Sequence, residues 1–141
     1  MSSRPLRPDK GSVPRRIRYD AAVGQVGGDT RTVLVVEDED GVRRVVVRVV
    51  EAAGYRVISA CEPDEALTLL DGAIPDAVVT DVSMPHGGGT RLVEELRKSR
   101  PELPVVFMTG YAPDDEGLAG VVLLKPFRPN QLLEALKKAF G

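Results

Sequence analysis

From Thr32 onward, hydrophobic positions along the chain alternate between two periods. Thr32–Val36 is a β-branched apolar run, too short for a helix and too apolar for a half-exposed strand, which predicts a strand buried on both faces. Val42, Val45, Val46, Val49 and Val50 then recur at helical spacing, and Gly54 closes the stripe. Valine alone favours strand, but Arg43, Arg44, Arg48 and Glu51 fill the other face, so the period predicts a helix. A second strand is expected over Tyr55–Ala60, a helix with proline in its first turn over Pro63–Leu70, and a third strand over Asp76–Thr80. Thr90–Ser99 reads as a helix turning Leu92, Val93 and Leu96 inward and stopped by Pro101. Strands at Pro104–Met108 and Val121–Leu124 follow, and Pro129–Phe140 forms the last helix on Leu132, Leu133, Leu136 and Phe140.

This alternation predicts a flavodoxin-like, doubly wound α/β fold: a five-stranded parallel sheet of order 2-1-3-4-5 between two layers of helices, with right-handed crossovers. Ligands of such sheets bind at the carboxyl ends of the strands. Four of the five strands stop there at a group with chemistry: Glu37 and Asp38, Asp81, Thr109 and Lys125. The second strand does not, and the predicted order puts it at an edge.

Composition narrows the class. The 141 residues, 43% hydrophobic and 28% charged, suit one domain. No apolar stretch reaches the roughly 20 residues needed to span a bilayer, and the N-terminus lacks a signal-peptide core, so a cytoplasmic protein is expected. The single Cys61 excludes an internal disulfide and is expected half-buried at a strand end. The net charge of −2 conceals an asymmetry: residues 1–30 hold six Lys/Arg against three Asp/Glu, the remainder thirteen against eighteen. With Pro5, Pro8, Pro14 and four glycines, residues 1–30 read as a flexible basic arm or linker, and residues 31–141 as the folded domain. The Arg15-Arg16-x-Arg18 cluster reads as a solvated stretch rather than a nucleic-acid contact.

Each strand-end group alone has a bland explanation. Glu37–Asp40 could be an acidic turn favouring the start of the next helix, Asp81 a turn former, Thr109 a polar strand terminus and Lys125 a surface lysine. Together they mean more. Three crowded carboxylates repel unless a cation neutralises them, and oxygen-only ligands favour a hard ion such as Mg²⁺. A hydroxyl, an ammonium and a metal around one carboxylate form a donor set for phosphoryl oxygens. His86, the only histidine, reads as a surface residue in a glycine-rich loop. The acidic turn opposes a flavin phosphate, no Walker motif is present, and Ser83 stands where a nuclease or an aspartyl phosphatase would want a second carboxylate.

Over residues 32–140 the chain resembles the receiver domain of two-component response regulators. The resemblance rests on VLVVEDED with Glu37 and Asp38, DAVVTDVSMP with Asp81, Gly89 after the MP loop, MTGY with Thr109, and LLKPF with Lys125. It implies that Asp81 accepts a phosphoryl group from a phosphohistidine of a histidine kinase or phosphotransfer protein, or from a small acyl phosphate. It also implies Mg²⁺ held by Asp38, Asp81, the backbone carbonyl of Ser83 and, through water, Glu37. Lys125 would ion-pair with the acceptor or its phosphate, Thr109 would hydrogen-bond the phosphate, and the Lys125-Pro126 peptide would be cis.

Three departures from the family pattern stand out. Glu37 replaces the commoner Asp, and Val122 stands where an aromatic often couples to the threonine. The Thr109-to-Lys125 interval is shorter than usual by roughly six residues, more than one helical turn. Only Pro113–Ala119 remains for helix 4, which is therefore expected to be shortened or disordered. Because the chain stops at Gly141, directly after the last helix, no DNA-binding output domain is expected. A stand-alone regulator and the receiver of a hybrid kinase are both compatible architectures. The competing class is a pseudo-receiver, an interaction module that is never phosphorylated.

Overall fold

The computed structural model describes residues 30–84, 88–110 and 118–141. Strands β1 (Thr32–Val36), β2 (Arg56–Ala60), β3 (Ala77–Asp81), β4 (Val105–Thr109) and β5 (Val121–Leu124) alternate with helices α1 (Asp40–Ala52), α2 (Pro63–Leu70), α3 (Gly88–Arg97) and α4 (Pro129–Phe140). All strand pairs are parallel, in the order β2-β1-β3-β4-β5. The expected sheet is therefore the observed one.

Side-chain alternation divides the core into two layers. Val33, Val35, Val79, Val106, Met108 and Leu123 face Val46 and Val50 of α1 and Leu132 and Leu136 of α4. Leu34, Val36, Val78, Val105 and Phe107 face Ala66 and Leu70 of α2 and Leu92, Val93 and Leu96 of α3. The central strands β3 and β4 are buried along their whole length, which accounts for their unbroken apolar sequence.

Register brings the strand ends level. Val36 pairs with Thr80, so Glu37 and Asp81 occupy equivalent positions beyond it. Asp81 pairs with Met108, and Thr109 pairs with Leu124, which puts Lys125 one step further on.

Several sequence expectations shift. Three strands begin one residue later than expected, at Arg56, Ala77 and Val105, because Tyr55, Asp76 and Pro104 still belong to the incoming turns. Helix α3 begins at Gly88 rather than Thr90. Val45, expected inside, is 54% exposed, since it stands at the margin of a stripe whose buried members are Val46 and Val50. Cys61, expected half-buried, is exposed just past the edge strand β2. The expectation for helix 4 falls mainly on residues 111–117, and that for His86 on residues 85–87; both lie outside the described residues.

At the end of the sheet away from Asp81, Tyr55 stacks on Phe140 with ring centres 5.7 Å apart and an interplanar angle of 15°. The Arg31 guanidinium lies 4.3 Å from the centre of the same Phe140 ring. The start of the sheet and the end of α4 are thereby pinned to each other.

The approach of α3 to β3 depends on Gly89. A Cβ there would run into the Thr80 side chain and the Asp81 carbonyl oxygen, both buried under the helix. Gly89→Ala is expected to cost about 1–3 kcal/mol, as overpacking does, read as a lower urea midpoint at unchanged slope.

Candidate functional site at the carboxyl edge of the sheet

Glu37 leaves β1 with its backbone N–H donating to the Ala60 carbonyl at 3.2 Å, and its side chain is completely buried. Each carboxylate oxygen has a partner. Oε2 accepts the Glu39 backbone N–H at 3.1 Å, and Oε1 accepts Lys125 Nζ at 2.9 Å. Asp81, 5% exposed, ends β3 with Oδ1 3.4 Å from the same Lys125 Nζ. Asp38 is exposed beside them, and Glu37, Asp38 and Asp81 each offer an oxygen within 4.8 Å of the other two.

Lys125 is held from its backbone outward. Its N–H donates to the Thr109 carbonyl at 2.7 Å, extending the β4–β5 ladder by one bond, and the following Lys125-Pro126 peptide is cis, as expected. Thr109 itself is 3% exposed. Ser83 is exposed in the loop that follows β3. The structure thus gathers Glu37, Asp38, Asp81 and Lys125 directly, with Thr109 joined to Lys125 through the backbone. Tyr111, the last residue of the MTGY motif, lies outside the described residues.

The electrostatics follow from this crowding. Burial pushes the Glu37 carboxyl above its ordinary range; the Glu39 amide and Lys125 pull it back, and the charge of Asp81 pushes it up again, leaving it raised. Burial pulls the Lys125 ammonium down, but its bond to Glu37 and the charges of Glu37 and Asp81 outweigh that, so its pKa is raised. One ammonium serves two carboxylates, and the third has no part of it. An all-oxygen set with such surplus negative charge fits a hard divalent cation.

One contributor is absent from the sequence-based site. Arg43 was expected only to fill the polar face of α1, yet its Nη1 donates to the Glu37 carbonyl at 2.9 Å and its Nη2 to Asp40 Oδ1 at 2.6 Å. The Asp40–Arg43 spacing of three, directly behind the acidic pair, was the available signal. Beside Lys125, the residues Val42, Val45, Val46, Pro126 and Phe127 border an open groove of about 630 Å³.

Comparison with known proteins gives a consistent picture. The family model of the response regulator receiver domain matches residues 33–137. The sensor kinase CckA of Brucella abortus is 46% identical over 85 residues, covering 59% of this chain and 9% of the kinase. The phosphate regulon transcriptional regulatory protein PhoB of Escherichia coli is 30% identical over 115 residues, covering 76% of this chain and 50% of that protein. The chain therefore spans half or less of the length of these relatives. Among solved structures, the chemotaxis protein CheY4 of Vibrio cholerae superposes with a TM-score of 0.72 at 29% identity, over 78% of this chain and 98% of that one. The receiver domain of the hybrid histidine kinase CckA superposes with a TM-score of 0.66 at 34% identity, over 78% and 99%. With its motifs at the strand ends, its sheet order and a family match across residues 33–137, the chain belongs to the response regulator receiver domains of two-component signalling.

Proposed function

We propose that this receiver is a phosphoacceptor in a two-component phosphorelay, with Asp81 as the acceptor. The observation that carries the reading is the meeting of a buried strand-end carboxylate, Asp81, with the Lys125 ammonium and two further carboxylates. One Asp81 oxygen attacks the phosphorus of a phosphohistidine; an O–P bond forms as the P–N bond breaks, and the imidazole leaves with the electron pair. A small acyl phosphate serves as donor in the same way, its P–O bond breaking to release a carboxylate. Lys125, already between Glu37 and Asp81, is within reach of the new phosphoryl oxygens and offsets their charge of roughly −1.5 to −2. The Thr109 hydroxyl hydrogen-bonds the phosphoryl group from β4, and the backbone link from Thr109 to Lys125 carries its movement to β5.

Asp38, Asp81, the Ser83 carbonyl and, through water, Glu37 are the groups that would hold Mg²⁺. When bound, the ion supplies charge neutralisation among the carboxylates and on the transferring phosphoryl oxygens. The groove beside Lys125 seats the donor protein, a histidine kinase or phosphotransfer protein, next to Asp81. Residues 1–30 act as a basic arm or linker and 31–141 as the receiver, working in the cytoplasm. Among the described residues, no helix is long and apolar enough to cross a membrane.

Three outcomes are expected. Asp81→Asn abolishes the magnesium-dependent, hydroxylamine-sensitive adduct formed with labelled acetyl phosphate; continued labelling of that variant would refute Asp81 as acceptor, and an unlabelled wild type would favour the pseudo-receiver. Millimolar Mg²⁺ raises the melting temperature, by the equivalent of about 1.4 kcal/mol at ten times Kd; a flat titration counts against the metal site. Because the Glu37 pKa is raised above 4.5, its contribution to metal-free stability is present below that pH and is lost as pH rises through the raised value. The isosteric Glu37→Gln lacks that loss, so the two urea midpoints should diverge with rising pH in metal-free buffer. Parallel curves would contradict the raised carboxyl.

A further inference from the structure

The start of α1 carries an unusual arrangement. Its N-cap, Glu39, makes no side-chain capping hydrogen bond, and its backbone N–H goes to Glu37 Oε2. A helix start without a side-chain cap is prone to fray. The segment that leads into this helix start, Glu37-Asp38-Glu39-Asp40, carries two of the three clustered carboxylates. Arg43 reaches back from the first turn of α1 and grips both ends of that segment, the Glu37 carbonyl with Nη1 and the Asp40 carboxylate with Nη2. Its side chain is only 21% exposed, so the fork is partly shielded from water.

We infer that Arg43 is a positioning residue for cation binding: its two-pronged grip ties the Glu37 carbonyl to the Asp40 carboxylate and holds the turn that carries Glu37 and Asp38 facing Asp81. This rests on the metal reading of the carboxylate cluster. Two physical effects oppose each other. A guanidinium close to the carboxylates weakens attraction for a second cation, whereas a fixed turn strengthens it by removing the cost of ordering the ligands. The geometry points to the second effect, because Nη1 is spent on a backbone carbonyl, where it fixes conformation and neutralises no charge. Lysine cannot replace the fork: its single ammonium is a point charge without two parallel donors.

The test uses the full chain, with MgCl₂ titrated into ¹⁵N-labelled wild type, Arg43→Lys and Arg43→Gln. Both variants are expected to bind Mg²⁺ more weakly, by roughly tenfold, as supporting residues around metal ligands do. Tighter binding by Arg43→Gln with unchanged binding by Arg43→Lys means that Arg43 acts by charge alone and overturns the proposal. So does an unchanged Kd in both variants, even if their urea midpoints fall. A second readout is independent of metal: amide hydrogen exchange at Asp38 and Glu39 in the metal-free proteins should accelerate in both variants while β3 stays protected. Unaltered exchange there overturns the positioning role. Failure of wild type to respond to Mg²⁺ refutes the metal reading and the cation-binding role together, whereas a wild type that binds Mg²⁺ with variants that match it sinks Arg43 alone.

Discussion

The ion pair between Lys125 and the buried Glu37 is the constraint on which the reactive edge depends. The two residues lie 88 apart in sequence and follow strands β5 and β1, which β3 and β4 separate. At the usual spacing of neighbouring strands, that is roughly 14 Å of sheet to bridge. The contact therefore exists only in the observed strand order, with the strand ends level and with two long side chains leaning toward Asp81 between them. Shortening either partner would leave a gap. Since Glu37 is fully buried, losing its cation would strand a charge at a cost of about 3–5 kcal/mol, a large part of what a domain of this size has to spare.

That bridge also explains why the site reads as a unit. Lys125 is shared between two carboxylates on one side and bonded through its backbone to Thr109 on the other. Any group that draws the ammonium away from Glu37 changes the surroundings of a buried acid and pulls on the end of β4 at the same time. Most of the sheet edge is held by backbone ladders that cannot adjust by degrees. The Lys125 side chain is the adjustable part, and it stands 3.4 Å from the Asp81 carboxylate.

Much of this was legible in the sequence, for identifiable reasons. Strands buried on both faces are written as unbroken apolar runs, so β1, β3 and β4 were found to within a residue; the apolar edge strand β5 was found as well, and the terminal groups followed from the parallel topology. The helix α2, opened by Pro63, matched at both ends. What escaped depended on three-dimensional crowding. Val45 obeys the helical period but sits too far round α1 to reach the sheet. Gly88 and Gly89 look like a flexible loop, yet they are the first turn of α3, because only residues without side chains pass so close to β3. Arg43 looks like one of several surface arginines, and only the path of the β1–α1 turn shows that its fork has two acceptors. A one-dimensional pattern records which face a residue prefers; it does not record what the turn before it leaves unsatisfied.

The stack of Tyr55, Phe140 and Arg31 lies at the opposite pole of the sheet from the carboxylates. It makes the fold polar in a mechanical sense. The chain enters β1 and finishes α4 on the same side, so both of these points of the described body lie behind the edge that carries Glu37, Asp38 and Asp81.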